Sequence, residues 1–543
     1  MQSSFEFASN RSPVFGMRGM CASSQPLASA AGVTVLNAGG SAADAGIAMA
    51  AALNVTEPTS TGLGGDCFVL YFDAQEQKVY ALNGSGRAPK ALSLSRLSAE
   101  GLDRSLPPMH PYTITVPGAC AGWCDLSERF GRLPLDKVFE PAIDLAEKGF
   151  PVSPITAYFW GRAAKNLLAR SKNGRELTID GRAPRSGEVF HNLGLARTLR
   201  RIAEGGKDAY YQGEIASAIA AVVAAAGGCL TEEDLAAHTS SWVDPISVEY
   251  QGLRIWECPP NGQGLAALIA LNILKGYDLG QYEPLGAQRL HLQIEAMRLA
   301  FADAFLHIAD PDFADIPLST LLSDAYALER RKLINLNTAL PQVEHGSPPA
   351  TSDTVYFSAV DEDGNACSFI ASNYMGFGTG IVPSGWGFSL QNRGHNFSLD
   401  PASPNALAPG KRPYHTIIPA MATRADSGAL HAAFGVMGGF MQPQGHMQVV
   451  IGLTDDKLDP QQALDRPRFC LAPASSDEYV ALEEGIPAES LTRLAEMGHP
   501  VRMVSGMERA VFGRGQIILR DPETGVLCAG SDPRADGCAI PQI

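Results

Sequence analysis

The sequence of 543 residues has no apolar run of about 18 residues, the length a helix needs to cross a bilayer. Its opening stretch, MQSSFEFASNRSPVFGMRGM, lacks a basic segment followed by an apolar one, so export is not expected. A membrane partner is disfavoured on the same grounds, and a cytoplasmic location is the expectation. Dense Lys/Arg patches interleaved with aromatic residues are missing, and a formal net charge of −15 repels a polyanion, which argues against nucleic acid as a partner. The ten cysteines form no CxxC pair, and no histidine stands at zinc-site spacing from them, so reduced thiols are the natural reading. Phosphate-cradling signatures are also lacking. Neither Gly62-Leu63-Gly64-Gly65 nor Gly435-Val436-Met437-Gly438-Gly439-Phe440 fits GxGxxG, and GxxxxGK[ST] does not occur.

What is present suits a globular chain: 45% hydrophobic and 18% charged residues supply core without signalling disorder. Length alone leaves the number of domains open. Residues 26–53 are Ala-rich and helix-prone, broken by Asn37-Ala38-Gly39-Gly40, which predicts two helices, the second capped near Ser41. Residues 67–82 read as a β-hairpin around a polar turn. The clearest helix spans residues 285–308, with Leu290, Ile294, Met297, Phe301 and Phe305 on one face. His291 and Glu295 lie one turn apart on it. They are either a metal-ligating pair or the polar flank of a buried helix, and the second reading is the simpler.

After Leu340 comes PQVEHGSPPATSD, with three prolines, one glycine and no periodicity, which reads as an exposed loop. Residues 354–360 and 366–371 are β-prone and flank Asp361-Glu362-Asp363-Gly364-Asn365, a hairpin turn with the Asp-Gly signature. Further strands at 430–434 and 516–520, with a helix at 444–453 after Pro443, make the class mixed α/β.

A threonine placed after a flexible loop, at the first position of a strand, has chemical significance if the chain is cut before it. Thr354 would then carry both a hydroxyl and a free α-amine, whose reference pKa of roughly 7.7 to 8 leaves part of it neutral and able to act as base. The same residue is equally an ordinary β-former. Gly435 to Phe440 presents a second choice. Glycines at a strand-to-helix junction leave N–H groups accessible for an oxyanion hole, or they form a tight turn.

Taken together these segments resemble the γ-glutamyltranspeptidase family, in the same order along nearly the whole chain. The landmarks are Gly19-Met20-Cys21-Ala22, the run from Asn37 to Ala45, Leu63-Gly64-Gly65 and the segment from Arg298 to Ala304, then Asp353-Thr354, Phe377-Gly378-Thr379-Gly380, Lys411-Arg412-Pro413, Gly438-Gly439, Pro467-Arg468-Phe469 and Ser531-Asp532-Pro533-Arg534. The resemblance implies an N-terminal-nucleophile αββα sandwich, cut from one precursor into a large subunit (1–353) and a small one (354–543) wound into one body. It implies Thr354 as nucleophile, Ser372 as the hydroxyl that hydrogen-bonds it, and Gly438 and Gly439 as the oxyanion hole. No metal or cofactor is implied.

Where this sequence departs from the family pattern, the departures concern substrate. The family's ammonium-binding Asp corresponds to Asn396, its carboxylate-binding serines to His415 and Thr416, and its substrate Asn to Tyr374. The carboxylate-binding Arg corresponds to Ser85, with Arg87 two residues on as a substitute cation. Losing the acid at an ammonium site removes a charge-assisted bond of about 1.5 to 3 kcal/mol, so a γ-glutamyl group should bind poorly. Asn396 has a second reading as the cap of a turn. The tracts 372–378 and 435–446 are most similar to the branch of the family that acts on oxamate in purine-nitrogen salvage. Oxamate has a carboxylate for Arg87 or a protonated His415 to hold, and no ammonium. Hydrolysis of a γ-glutamyl compound such as glutathione is the alternative.

Overall fold

Ser41 starts the more deeply buried of two packed alanine-rich helices. Its hydroxyl accepts from the Asp44 amide at 3.2 Å, and the Asp44 carboxylate accepts in return from the Ser41 amide at 2.9 Å. The preceding helix, Pro26–Asn37, ends at Gly39, whose φ of +88° is the left-handed stop that a side chain disfavours. Every residue of Ala42–Thr56 is buried, and small side chains let this helix approach its neighbours closely. The computed structural model describes residues 11–103, 106–340, 353–472 and 479–543, so most of the Pro-rich loop before Thr354 lies outside the described residues.

Two seven-stranded sheets form the centre. One runs in the order Cys538–Pro541, Met20–Ser23, Asp353–Val360, Ala366–Tyr374, Asp66–Asp73, Lys78–Gly84, Ser241–Val243. The other runs Val14–Gly16, Leu527–Ser531, Arg514–Arg520, Leu430–Met437, Ala420–Arg424, Leu253–Glu257, Ile246–Tyr250. Every pairing within both sheets is antiparallel. The helices Pro26–Asn37 and Ala42–Thr56 lie on the first sheet, with Leu135–Lys148 packed against them, and Gly264–Leu274 and Met441–Thr454 lie on the second, with Ala287–His307 packed against Gly264–Leu274. The result is the αββα sandwich.

The sheets meet through matched sizes and one polar bridge. Gly435 leaves the space that the Tyr356 ring fills; a Cβ there would strike the ring. The Tyr356 hydroxyl lies 2.8 Å from Ser368 Oγ, which donates to the Ala420 carbonyl of the opposite sheet at 2.8 Å. Buried polar groups so close to the centre are tolerated because they satisfy one another.

Asp353–Val360 and Ala366–Tyr374 sit between strands drawn from the first hundred residues, so segments on either side of Thr354 are interleaved in one sheet. Strand 366–374 runs three residues past the expected end. The helix after Gly439 begins at Met441, before Pro443 rather than after it. A proline in the first helical turn costs no hydrogen bond, since amides there have no partner within the helix. No described helix is long and apolar enough to cross a membrane.

Candidate active site

Thr354 falls at a register shift. Asp353 pairs with Tyr374 and Val355 with Ala371, so an irregularity of the bulge kind occurs between Asp353 and Val355 at the start of the strand. Thr354 is fully buried, and its Oγ1 donates to Ser372 Oγ at 3.2 Å. Ser372 is held in turn at the end of the neighbouring strand: its Oγ also accepts from the Tyr374 amide at 2.8 Å, with Tyr374 at a φ of +77°. A positive φ on a large aromatic residue is a strained conformation of the kind that clusters at functional sites. Gly65 makes room for this turn, because a Cβ there would run into the Ser372 carbonyl.

The second sheet supplies the glycine pair. Its strand ladder ends at Met437 opposite Arg514 and the next helix starts at Met441, so Gly438 and Gly439 lie between the two hydrogen-bonding systems. Their φ values, +131° and +61°, belong to the region that glycine adopts freely. Gln263 fixes the turn: its Nε2 donates to the carbonyls of Gly439 at 2.8 Å and Thr416 at 2.6 Å. The C-terminal landmarks stand behind it. Arg468 pairs with Asp532 at 2.8 Å and donates to the Phe512 carbonyl at 3.0 Å, while Asp532 accepts from the Gly515 amide at 2.9 Å. This network holds the segment whose Gly513 backs onto Gly438.

Of the expected substrate-binding residues, Thr416 and Tyr374 are brought together with Ser372. All three surround Arg393, a residue that sequence reasoning did not single out. Arg393 is fully buried; its Nη1 donates to Thr416 Oγ1 at 2.7 Å, its Nη2 to Ser372 Oγ at 3.2 Å, and its guanidinium lies over the Tyr374 ring at 4.4 Å. Burial lowers its pKa to about 10, still far above neutrality, so it is a buried cation. The sequence signal was faint: an arginine in the polar run Gln391-Asn392-Arg393-Gly394-His395-Asn396, with no periodicity to show that it points inward.

His415 and Arg87 require correction. His415 is fully buried, its Nε2 3.0 Å from Asp66, and desolvation, with the nearby Arg393 charge adding to it, lowers its pKa to about 3. It is a neutral ring at physiological pH, so it is not the expected imidazolium for a carboxylate. Arg87 is paired with Asp310 at 3.2 Å and with the exposed Asp312 at 3.1 Å, two carboxylates with which an incoming anion would have to compete. Ser85 is buried and donates to Asn83 at 2.6 Å. Asn396 has the geometry of a turn cap: its Nδ2 donates to the Tyr414 carbonyl at 3.1 Å, and its own carbonyl accepts from Asn405 at 2.7 Å.

The His291–Glu295 pair is joined by His499, their ligand atoms all within 4.8 Å of one another. Most of those atoms already have protein partners, although His499 Nδ1 has no hydrogen-bond partner among the described residues. His291 Nδ1 lies 2.7 Å from His499 Nε2 and its Nε2 lies 2.7 Å from the Asn335 carbonyl, while Glu295 accepts from Arg298 at 2.8 Å and the Leu340 amide at 2.9 Å. The cluster fastens the segment that ends at Leu340 onto the long helix.

The family model for gamma-glutamyltranspeptidase matches residues 28–542. The chain belongs to the γ-glutamyltranspeptidase family. The glutathione hydrolase-like YwrD proenzyme of Bacillus subtilis is 37% identical over 97% of this chain and 99% of its own length. The oxamate amidohydrolase proenzyme of Klebsiella pneumoniae is 34% identical over 96% of this chain and 98% of its own. Among solved structures, cephalosporin acylase from Bacillus halodurans superposes with a TM-score of 0.91 at 46% identity, covering 100% of this chain and 99% of that one. This γ-glutamyltranspeptidase relative is therefore a self-processing amidohydrolase with the N-terminal-nucleophile fold, its subunits cut from one precursor.

Proposed function

We propose that the chain cuts itself between Asp353 and Thr354 into subunits 1–353 and 354–543. Thr354 then hydrolyses a short carboxylate-bearing amide, with oxamate, giving oxalate and ammonia, as the simplest fit. The observation that carries this reading is the buried Thr354 hydroxyl, 3.2 Å from Ser372, at a register shift in the first residues of its strand. In the precursor, Thr354 Oγ attacks the Asp353 carbonyl; the peptide C–N bond breaks, which frees the α-amine and leaves an ester, and water hydrolyses that ester to free the hydroxyl and the Asp353 carboxylate. That amine then takes the hydroxyl proton as Oγ attacks the substrate carbonyl, the amide nitrogen leaves protonated as ammonia, and water releases the acid. Gly438 and Gly439 amides stabilise the oxyanion in each addition.

Oxamate is favoured over a γ-glutamyl group because Asn396 offers no carboxylate to an ammonium and its amide is engaged with Tyr414. The relatives named a glutathione hydrolase-like proenzyme and a cephalosporin acylase supply the rival acyl groups. Intact mass and N-terminal sequencing test the first step. Release of ammonia from oxamate, measured beside γ-glutamyl anilide and an N-acyl cephalosporin on the same processed protein, tests the second. Efficient turnover of either rival without oxamate hydrolysis rejects the substrate while leaving Thr354 in place.

A further inference from the structure

Arg393 is a buried guanidinium for which, among the described residues, no carboxylate lies within ion-pair distance. Its contacts are two hydroxyls and the face of one ring. Its Nε is buried without a hydrogen-bond partner among the described residues. A cation taken out of water and left unpaired is costly, and a protein that keeps one in a reactive site keeps a place for an anion. The orientation supports this. Nη2 shares with Nε the edge of the guanidinium that a carboxylate takes side-on, and Nη2 has a second proton beyond the one given to Ser372.

We infer that Arg393 is the anchor for the substrate's carboxylate, and that this carboxylate is bonded directly to the scissile carbonyl carbon or is one carbon removed from it. The inference rests on the proposed amide hydrolysis at Thr354 and deepens it. Its second half comes from distance. Two contacts of 3.2 Å in series, from Thr354 Oγ1 to Ser372 Oγ and from there to Arg393 Nη2, place the guanidinium no more than 6.4 Å from the nucleophile. A carbonyl carbon ready for attack lies roughly 3 to 3.5 Å from the hydroxyl oxygen. A charge-assisted N–H···O bond takes up about 2.8 Å at the other end. These two spans together take up about 6 Å of that distance, so the carbonyl carbon and the bound carboxylate oxygen can be joined only by a short, bent link of two or three bonds. An α-oxo carboxylate such as oxamate bridges that gap, whereas an extended γ-glutamyl or glutaryl chain, with roughly 4 to 5 Å between its carbonyl and its carboxylate, passes beyond the guanidinium.

Thr416 and Tyr374 act as positioning residues here. The hydroxyl of one and the ring of the other hold the planar group at a fixed angle, so little side-chain freedom is lost when the anion arrives. A lysine would keep the charge and lose the fork.

The test uses the self-processed protein with oxamate, with oxamide, in which a second amide replaces the carboxylate, and with oxalate as a non-reacting ligand. Wild type should hydrolyse oxamate with a KM far below that for oxamide. Arg393→Gln should raise the oxamate KM by roughly ten- to hundredfold, weaken oxalate binding in calorimetry by a similar factor, and abolish the preference for oxamate over oxamide; Arg393→Lys should recover part of each. Should Arg393→Gln fail to fold or to process, the oxamate-to-oxamide ratio of wild type decides. Equal KM values overturn the anchor. If wild type hydrolyses neither amide, the proposed substrate fails, and oxalate binding that disappears in Arg393→Gln still supports the anchor. Oxalate binding that is equal in both proteins, or absent in both, overturns it.

Discussion

The side-chain amide of Gln263 donates to the carbonyl of Gly439 at 2.8 Å, and through the same nitrogen reaches Thr416 on the loop that seats Arg393. One buried donor thus ties the Gly438-Gly439 turn to the segment that carries Thr416. Gln263 is itself held by the Tyr414 hydroxyl, 3.1 Å from its Oε1. Gln263→Met fills the same volume without donating. Leaving two buried carbonyls short of a partner should cost about 1 to 3 kcal/mol of stability. Small displacements of the turn should lower kcat by roughly ten- to hundredfold. Thermal melting and steady-state kinetics on the processed protein check both; a variant with normal kcat would detach Gln263 from the oxyanion geometry.

Self-cleavage is read most directly by mass. Wild type should resolve into fragments 1–353 and 354–543, and Thr354→Ala should remain a single chain because the attacking oxygen is gone. A wild-type protein that stays whole and is nevertheless active would remove the N-terminal nucleophile from the mechanism.

Gly439→Val should fold less stably and turn over more slowly. A β-branched side chain at a φ of +61° is strained by roughly 1 to 2 kcal/mol or more, and the backbone shift that relieves it moves the oxyanion donors. Loss of one such donor costs roughly a hundred- to a thousandfold in kcat with little change in substrate affinity. Near-normal kcat in a processed variant would take the glycine pair out of the reaction.

How much of this was legible in the sequence follows from which forces are local. The Ser41 capping box, the break at Gly39 and the hairpin turn at residues 361–365 are decided within a few residues, and the helices and strands around them appear where periodicity and turn chemistry put them. The expectation for Thr354, Ser372 and the glycine pair came from their order along the chain, which matches that of a family. Arg393 was passed over and the charge of His415 misread for a shared reason: their state depends on burial among partners far away in sequence. Asp66, 349 residues from His415, makes that ring part of a buried hydrogen-bonded hub that also takes the Gly86 and Gly118 amides and Gln391. No local pattern reports that a histidine is held neutral or that an arginine has no counterion among the described residues.

Buried neutral histidines make a prediction about acid stability. His415 and His499 have pKa values lowered to about 3, and His238 to about 4, chiefly by desolvation. Unfolded, each titrates near 6.5. As pH falls below 6.5 the unfolded state takes up protons that the folded state refuses, so stability present above that pH is lost progressively towards pH 3 to 4. His415→Asn should flatten the fall in stability by up to one proton, about 1.4 kcal/mol per pH unit, between pH 6 and 4. Denaturant titrations at several pH values would show it, and parallel slopes for wild type and variant would contradict the neutral assignment.

Asn396 separates a structural amide from a substrate-reading one. Its Nδ2 donates to the Tyr414 carbonyl at 3.1 Å, beside the loop that carries His415 and Thr416. Asn396→Asp would place an ionised oxygen against that carbonyl, two acceptors facing each other, in a half-buried position where water compensates incompletely. The folded-state pKa of the new carboxyl should rise above its unfolded value of about 3.9, because only the protonated form can donate to Tyr414. The variant should therefore be less stable than wild type at pH 7, by roughly 1 to 3 kcal/mol. The deficit should shrink as pH falls through the raised pKa, since protonation restores a donor. Turnover of γ-glutamyl anilide should stay low in the same variant, because the new carboxylate faces a protein carbonyl. A variant as stable as wild type at pH 7 that gains γ-glutamyl turnover would instead make Asn396 the residue that reads the substrate's ammonium position.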